Sequence, residues 1–277
     1  MKISVITVNL NDLQGLKKTL QSVVTQTYDE YELIVIDGGS SDGSKEYIAG
    51  LSRINQWVSE PDKGIYNAMN KAIALAHGEY SIFMNAGDKF YHTEVLQQVA
   101  PELNGKDFYV GGTIEVDMKG KERREPAPEE MSVPFLVQRS IYHQSTFTRT
   151  SLLKARRYSE DYKVVSDWRL FFKEWLNGGS YQALQPIVSY YYLGGFSAQN
   201  YELFVNERQR VIEELLPERI RLHFVPAASQ EGLPKLERKI GNAMRKSPLK
   251  RDLAILRYGV KYLIKDIFRA VTGKRKS

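Results

Sequence analysis

The 277-residue chain has no cysteine, so it carries neither a disulfide framework nor a cysteine-based zinc site, and a reducing compartment suits it. It also lacks any segment near the roughly 18 uninterrupted apolar residues of a membrane span. Residues 1–10 hold a lone Lys and a short apolar run ended by Asn9 and Asn11. That is too short and too quickly polar for a signal peptide, and it reads as a first strand. No G-x-G-x-x-G, P-loop or Ser/His/Asp arrangement is found, and no internal repeat.

Charge is unevenly placed. From Gly241 to Ser277 there are eleven Lys/Arg against two acids, Asp252 and Asp266, a local +9 within a whole-chain +6. Residues 1–240 therefore carry −3, and the basicity belongs to the tail.

The first ninety residues alternate strand and helix. Strands are expected at Ile3–Val8, Tyr31–Ile36, Gln56–Val58 and Tyr80–Met84. Helices are expected from Leu13, from Gly43 or Ser44, and after Gly64 through Ala76, with Gly78 ending the last. Leu13, Leu16, Leu20, Val23 and Val24 recur at helical spacing and predict a face packed on the sheet. This alternation predicts a mostly parallel sheet with right-handed crossovers. The second half is less regular. Strands are expected at 110–118, 145–147 and 186–193, helices at 165–176 and 201–216, and a charged, Pro-containing loop at 119–130.

Two aspartates end buried-looking strands: Asp37 after Leu33-Ile34-Val35-Ile36, and Asp88 in Asn85-Ala86-Gly87-Asp88 after Tyr80–Met84. The carboxyl edge of an α/β sheet is where ligands bind, so the pair points to a nucleotide and a divalent cation at one crevice. Asp37 could instead be a turn or capping residue, because Gly38–Gly43 is turn-rich, and Asn85–Asp88 has the composition of an Asx turn. Mg²⁺ or Mn²⁺ needs only one or two protein carboxylates when phosphates and water complete its shell. Asp167 could deprotonate a hydroxyl, or Ser166 or Asp167 could simply cap the helix that follows. His143, between Tyr142 and Gln144, is a candidate metal or phosphate ligand, though a lone His is more often structural.

Residues 226–234 read as a linker. Beyond it Leu253, Leu256, Val260, Leu263, Ile264, Ile267, Phe268 and Val271 fall on one side of a helix, with Arg251, Lys261, Lys265 and Arg269 beside them. Such a basic amphipathic helix suits an anionic membrane surface, or it packs back on the domain. Nucleic acid is not expected, since no aromatic platform or recognised module accompanies the charge.

Residues 1–225 resemble the family 2 glycosyltransferases with a GT-A fold. The resemblance runs through Ser4–Asn9, Ile36-Asp37-Gly38-Gly39-Ser40-Ser41-Asp42-Gly43-Ser44 and Asn85–Asp88. The chain is most similar to a subgroup typified by the fucosyltransferase-like enzymes of colanic acid assembly. The marks are Ser59-Glu60-Pro61-Asp62-Lys63-Gly64-Ile65-Tyr66-Asn67-Ala68-Met69-Asn70-Lys71, His143-Gln144, Tyr162–Asp167 and Gly194-Gly195-Phe196-Ser197. The resemblance implies an α/β GT-A fold, a Rossmann-like, mostly parallel sheet flanked by helices, over residues 1–225. A linker at 226–235 and a helical tail at 236–277 would follow.

It also implies roles. Thr7, Asn9 and Asp37 would line the nucleotide pocket, with Asp62 and Asn70 near the diphosphate. Asp88 would correspond to the last Asp of a D-x-D metal motif, Asn85 offering hydrogen bonds to ribose or phosphate. Asp167 would be the general base of an inverting transfer from a GDP- or UDP-linked sugar. Many members carry Arg where Met69 stands, so that phosphate contact would either be missing or be supplied by Lys63 or Lys71. The Q-x-x-R-W signature of processive members is absent, so one sugar is expected per encounter. The implied setting is the cytoplasmic membrane face, with a lipid-linked glycan acceptor of a bacterial surface polysaccharide. A nucleotidyltransferase would need a basic, Gly-rich loop where Asn9-Leu10-Asn11-Asp12 stands, and a non-catalytic sugar-nucleotide binder would not need Asp167.

Overall fold

The structure is a computed structural model and describes residues 1–221. The expected linker and basic tail lie outside the described residues. The chain falls into two units, Met1–Val211 and Ile212–Ser277, and the sheet with the helices that cover it lies in the first.

A nine-stranded sheet forms its centre. The strands are β1 (Ile3–Asn9), β2 (Tyr31–Asp37), β3 (Gln56–Ser59), β4 (Tyr80–Phe83), β5 (Lys89–Phe90), β6 (Phe108–Val116), β7 (Glu122–Glu125), β8 (Thr146–Arg149) and β9 (Tyr181–Tyr192). Their order is β3-β2-β1-β4-β8-β6-β9-β5, with β7 also pairing β6. β1 to β4 are mutually parallel, β6 pairs β9 in parallel, and the remaining pairings are antiparallel.

The period-2 geometry of the strands divides their apolar residues between two cores. Val5, Leu33 and Val35 point into one, packed by Leu16, Leu20 and Val23 of α1 (Leu13–Val24) and by α4 (Val95–Val99). α2 (Ser44–Ala49) adds Ile48 to the same side. Ile6, Ile34 and Ile36 point into the other, beneath α3 (Ile65–Leu75), α6 (Thr150–Arg156) and α7 (Ser166–Leu176). Both faces are covered, so β1 and β2 are buried along their whole length. Each such buried Leu or Ile contributes about 1.5–3 kcal/mol. Short helices α5 (Val133–Gln138) and α8 (Phe196–Gln199), then α9 (Tyr201–Leu215) and α10 (Glu218–Arg221), complete the list.

The structure departs from the sequence expectation at several elements; the short β5, α4, α5, α8 and α10 were not expected at all. The charged loop expected at 119–130 contains β7, whose run Glu122-Arg123-Arg124-Glu125 has no apolar alternation. It pairs with β6, and its Arg123 bonds Glu115 of β6. β9 begins five residues before the Pro186 at which a strand was expected. The missing N–H of Pro186 falls where the β6–β9 register shifts, between the Val110/Ala183 and Gly112/Ile187 pairs, so no ladder bond is lost. α6 carries no strong stop or start signal and was not expected.

Gly78 was expected to stop α3, but the helix ends at Leu75 with Ala76 as its cap. Gly78 serves a close approach instead. A Cβ there would lie 2.5 Å from Ser4 N and 2.6 Å from Ile3 C, both backbone atoms of β1. Its N–H donates to Glu32 Oε1 at 3.0 Å and to Ser4 Oγ at 2.9 Å. Gly78→Ala is therefore expected to destabilise the fold by about 3 kcal/mol through overpacking against rigid backbone. Chemical denaturation checks this, and a change below about 1 kcal/mol would show that the strand can yield.

Candidate active site

At the carboxyl edge of β1, β2 and β4 the chain leaves the sheet through polar residues. Beneath α7 and the β9–α8 segment lies a cleft of about 450 Å³, lined among others by Asn85, Asp88, His143, Gln144, Asp167 and Tyr191. Four of the sequence-expected residues meet here: Asn85, Asp88, His143 and Asp167.

Asp88 is delivered by the turn that follows β4. Gly87, at φ +96°, takes the left-handed conformation that lets Asp88 N–H donate back to Asn85 O at 2.9 Å. The hydroxyl of Thr19 on α1 ties the same turn down, donating to Asp88 O at 2.6 Å. The Asp88 carboxyl receives little in return. Gln144 Nε2 lies 3.5 Å from Oδ1 and His143 Nε2 3.9 Å from Oδ2. Burial pushes its pKa up to about 6, although the charges of His143 and Lys18 pull the other way.

Asp167 sits in the first turn of α7, where the partial positive charge of the helix start favours an anion. The cap is Val165, with no side-chain bond, so neither Ser166 nor Asp167 plays the capping role open to it; Ser166 Oγ is buried without a partner. Asp167 Oδ1 accepts from the Tyr66 hydroxyl at 2.9 Å, and Oδ2 lies 2.8 Å from His143 Nδ1. Burial alone would raise its pKa, but the His143 bond and charge, the Trp168 N–H and the Tyr66 hydroxyl hold it below the usual carboxylate value. Burial would lower the His143 pKa, yet the bond and charge of Asp167, with the charge of Asp88, raise it. Two neighbouring carboxyls are thus pushed in opposite directions, the arrangement expected where they do different work.

His143 is the link between them. Its second nitrogen lies 3.2 Å from Asn85 Nδ2, which donates to it when the imidazole is neutral. The backbone of 163–164 is fixed by Glu207 of α9, which accepts from Lys163 N at 2.7 Å and Val164 N at 2.9 Å. That anchors the approach to Asp167.

The other expected residues lie elsewhere. Asp37 is fully buried and acts as a turn residue, accepting from Asn9 Nδ2, Ser59 Oγ, and the N–H and hydroxyl of Ser40. Asn9 and Thr7 are buried beside it, and Thr7 Oγ1 and Asn9 Oδ1 have no partner. Asn70 is turned away from the cleft: its amide donates to Tyr158 O and Glu160 Oε1 and accepts from Tyr158 N. Asp62 and Glu60 hold Lys71 at 2.6 and 2.7 Å, so Lys71 is already neutralised, and Lys63 is exposed outside the cleft. Lys163 lines the cleft instead. Tyr66, Lys163 and Tyr191 were not singled out from the sequence. Tyr66 stands 101 residues from its partner Asp167, and no local pattern announces such a pairing.

Among the described residues, no three His, Asp or Glu side chains converge to hold an ion by protein ligands alone. The donors present still fit a divalent cation that completes its shell from phosphate and water: one under-bonded carboxylate, Asp88, and the amide oxygen Asn85 Oδ1, buried and without a partner.

Residues 4–177 match the family described as Glycosyl transferase family 2. Over 175 residues the chain is 36% identical to an uncharacterized glycosyltransferase, MT1564, of Mycobacterium tuberculosis, covering 60% of this chain and 65% of that protein. It is 30% identical over 205 residues to a PGL/p-HBAD biosynthesis glycosyltransferase of Mycobacterium bovis, covering 70% and 78%. Among solved structures, S. aureus TarS in complex with UDP-GlcNAc superposes with TM-score 0.60 at 18% identity, over 88% of this chain and 71% of that one. The mannosyltransferase PcManGT of Pyrobaculum calidifontis, in complex with GDP-Man and Mn²⁺, gives 0.56 at 15%, over 99% and 88%. The structural likenesses establish the fold as GT-A. The chain spans 65% of the length of the first of these relatives; with more than half of its own length matched by the family model, it belongs to glycosyl transferase family 2.

Proposed function

We propose that the cleft moves one sugar from a nucleoside-diphosphate sugar to an acceptor hydroxyl with inversion at the anomeric carbon. The observation that carries this reading is Asp167, held ionised by Tyr66 and His143 on the wall of the cleft that also holds Asp88. In the proposed step the acceptor oxygen attacks the anomeric carbon while its proton passes to Asp167. The bond from that carbon to the diphosphate oxygen breaks, and the nucleoside diphosphate departs. A divalent cation held by Asp88 and Asn85 would supply Lewis-acid stabilisation of the departing diphosphate. Tyr66 and His143 orient the base, each oxygen of which keeps a free lone pair for the incoming hydroxyl.

Asn9 Oδ1, buried and unpartnered beside Asp37, would accept a ring N–H of the base at the sheet edge. The relatives leave both donor classes open, since one neighbour is named with UDP-GlcNAc and another with GDP-Man. Placement in the colanic-acid fucosyltransferase-like subgroup, which would favour GDP-fucose, rests on the motifs around Tyr66, His143 and Asp167. In the proposed setting the enzyme acts on a lipid-linked glycan of a bacterial surface polysaccharide, at the cytoplasmic membrane face. Among the described residues no helix is long and apolar enough to cross a membrane. The division into a domain of residues 1–225, a linker and a membrane-binding tail belongs to the same proposal.

A thermal-shift series with GDP, UDP and their sugar derivatives, with and without Mn²⁺, tests it. One base class is expected to raise the melting temperature, and more so with metal; at about 100 times the dissociation constant the gain is roughly 2.7 kcal/mol. No shift with any nucleotide in a cooperatively melting sample would overturn the reading.

A further inference from the structure

The mouth of the cleft is bordered by apolar side chains that the described fold leaves open to solvent. Met118 is 82% exposed, Phe196 54% and Leu193 40%; Leu193, Gly194 and Phe196 also line the cleft. Met118 is not on a loose tip. Asp117 Oδ1 accepts from Lys119 N at 2.8 Å and Lys121 N at 2.9 Å, and Gly120 N donates to Asp117 O at 2.9 Å. The β6–β7 turn is built to hold Met118 outward. Its sulfur rests against Gly194, where an added Cβ would come within 2.5 Å of it, so Met118 and the β9–α8 segment form one continuous lip.

Cations surround this lip. Lys119, Lys121 and Arg124 on the hairpin are exposed, and no salt bridge to them is found among the described residues. Lys18 of α1 stands 3.3 Å from the ring centre of Tyr192 on β9, and Lys89 of β5 4.1 Å from that of Tyr190. Glu122 is the opposing exposed carboxylate on the hairpin; Asp117 is spent on the turn and Glu125 on Arg123 and Arg139. A few projecting apolar groups ringed by cations are far fewer than the roughly 20–30 residues a side of a standard protein interface. They do match an anionic bilayer surface, where shallow insertion of apolar groups adds to attraction between lysines and lipid phosphates.

We propose that the Met118–Leu193–Phe196 lip docks the mouth of the cleft directly on an anionic phospholipid surface. This rests on the reading that the acceptor is lipid-borne: docked so, the cleft opens at headgroup depth, where such an acceptor presents its hydroxyls.

The absence of cysteine makes the test clean. Met118→Cys in the full chain is labelled with an environment-sensitive fluorophore and mixed with phosphatidylcholine vesicles, with or without phosphatidylglycerol. A second label at Glu30→Cys, before β2 at the opposite end of the strands, serves as control. The expected result is a blue shift at position 118, quenched by a lipid-borne quencher, with anionic vesicles only, weakening with salt, and none at position 30. In unlabelled protein, Met118→Asp is expected to lower the vesicle partition coefficient roughly tenfold. Vesicle binding with a silent label at 118 would overturn the proposal, leaving the tail as the sole anchor. So would absence of vesicle binding, or a concentration-dependent shift without vesicles, which would indicate a second copy of the chain. An active enzyme whose label ignores vesicles would sink this surface and spare the transfer reaction; a docked label on a chain that binds no nucleotide would do the reverse.

Discussion

Asp167→Asn is expected to lower turnover by about 10²–10⁴ while leaving nucleotide affinity within about twofold. Asparagine keeps the shape of the side chain and still accepts from the Tyr66 hydroxyl, but it cannot take a proton. Its NH₂ group would face His143 Nδ1, which now lies 2.8 Å from a carboxylate oxygen, so the imidazole must switch to the tautomer with its proton on Nε2. The loss therefore has two parts: the base itself, and the orientation of the ring that bridges toward Asp88. Tyr66→Phe separates them, because it removes a single hydrogen bond to Oδ1 and leaves the base in place. We expect that variant to lose roughly ten- to a hundredfold, consistent with one hydrogen bond to a charged group. Single-turnover rates beside nucleotide binding make the measurement. If Asp167→Asn kept more than about a tenth of wild-type turnover, the proton acceptor would have to be another group.

Where the sequence was informative, it was so because one physical signal dominated. β1 and β2 are legible as unbroken apolar runs buried on both faces, and α1 as a stripe of Leu16, Leu20 and Val23 that packs as expected. β7 was hidden because its stability comes from pairing with β6 and from ion pairs such as Glu125 with Arg139, neither of which leaves a periodic pattern. The site divides the same way. Asp88 and Asp167 stood out because carboxylates at a strand end and a helix start are chemically conspicuous. Asp37 was equally conspicuous, yet its four hydrogen bonds show a carboxylate satisfied within the protein. Asn70 likewise pins the Tyr158 backbone rather than facing the cleft. Residue type alone does not say whether a polar group's partners come from the chain or from a ligand. The partners lie far along the chain, as with Tyr66 and Asp167.

Asp88→Asn is expected to cost activity and to stabilise the protein. The wild-type carboxyl is 16% exposed and has one long hydrogen bond, 3.5 Å from Gln144, with His143 Nε2 3.9 Å away, so its ionised form is poorly solvated in the folded state. Burial lifts its pKa from the ordinary 3.8 to about 6. Below pH 3.8 the group is protonated whether the chain is folded or not, and it costs nothing. As pH rises toward about 6 the unfolded chain releases this proton first, and folded stability falls; above that the penalty is complete. Partial exposure trims its size to about 1–3 kcal/mol. The neutral amide of Asp88→Asn carries no such penalty, so the variant should melt a few degrees higher than wild type at pH 7.5 and level with it near pH 4. The same substitution removes the carboxylate proposed to hold the cation, so the Mn²⁺-dependent part of the nucleotide thermal shift should disappear. A higher melting temperature joined to a lost metal response would mark Asp88 as a charge kept for the reaction at the expense of the fold. Equal melting at pH 7.5 together with an undiminished Mn²⁺ response would assign the cation to other ligands.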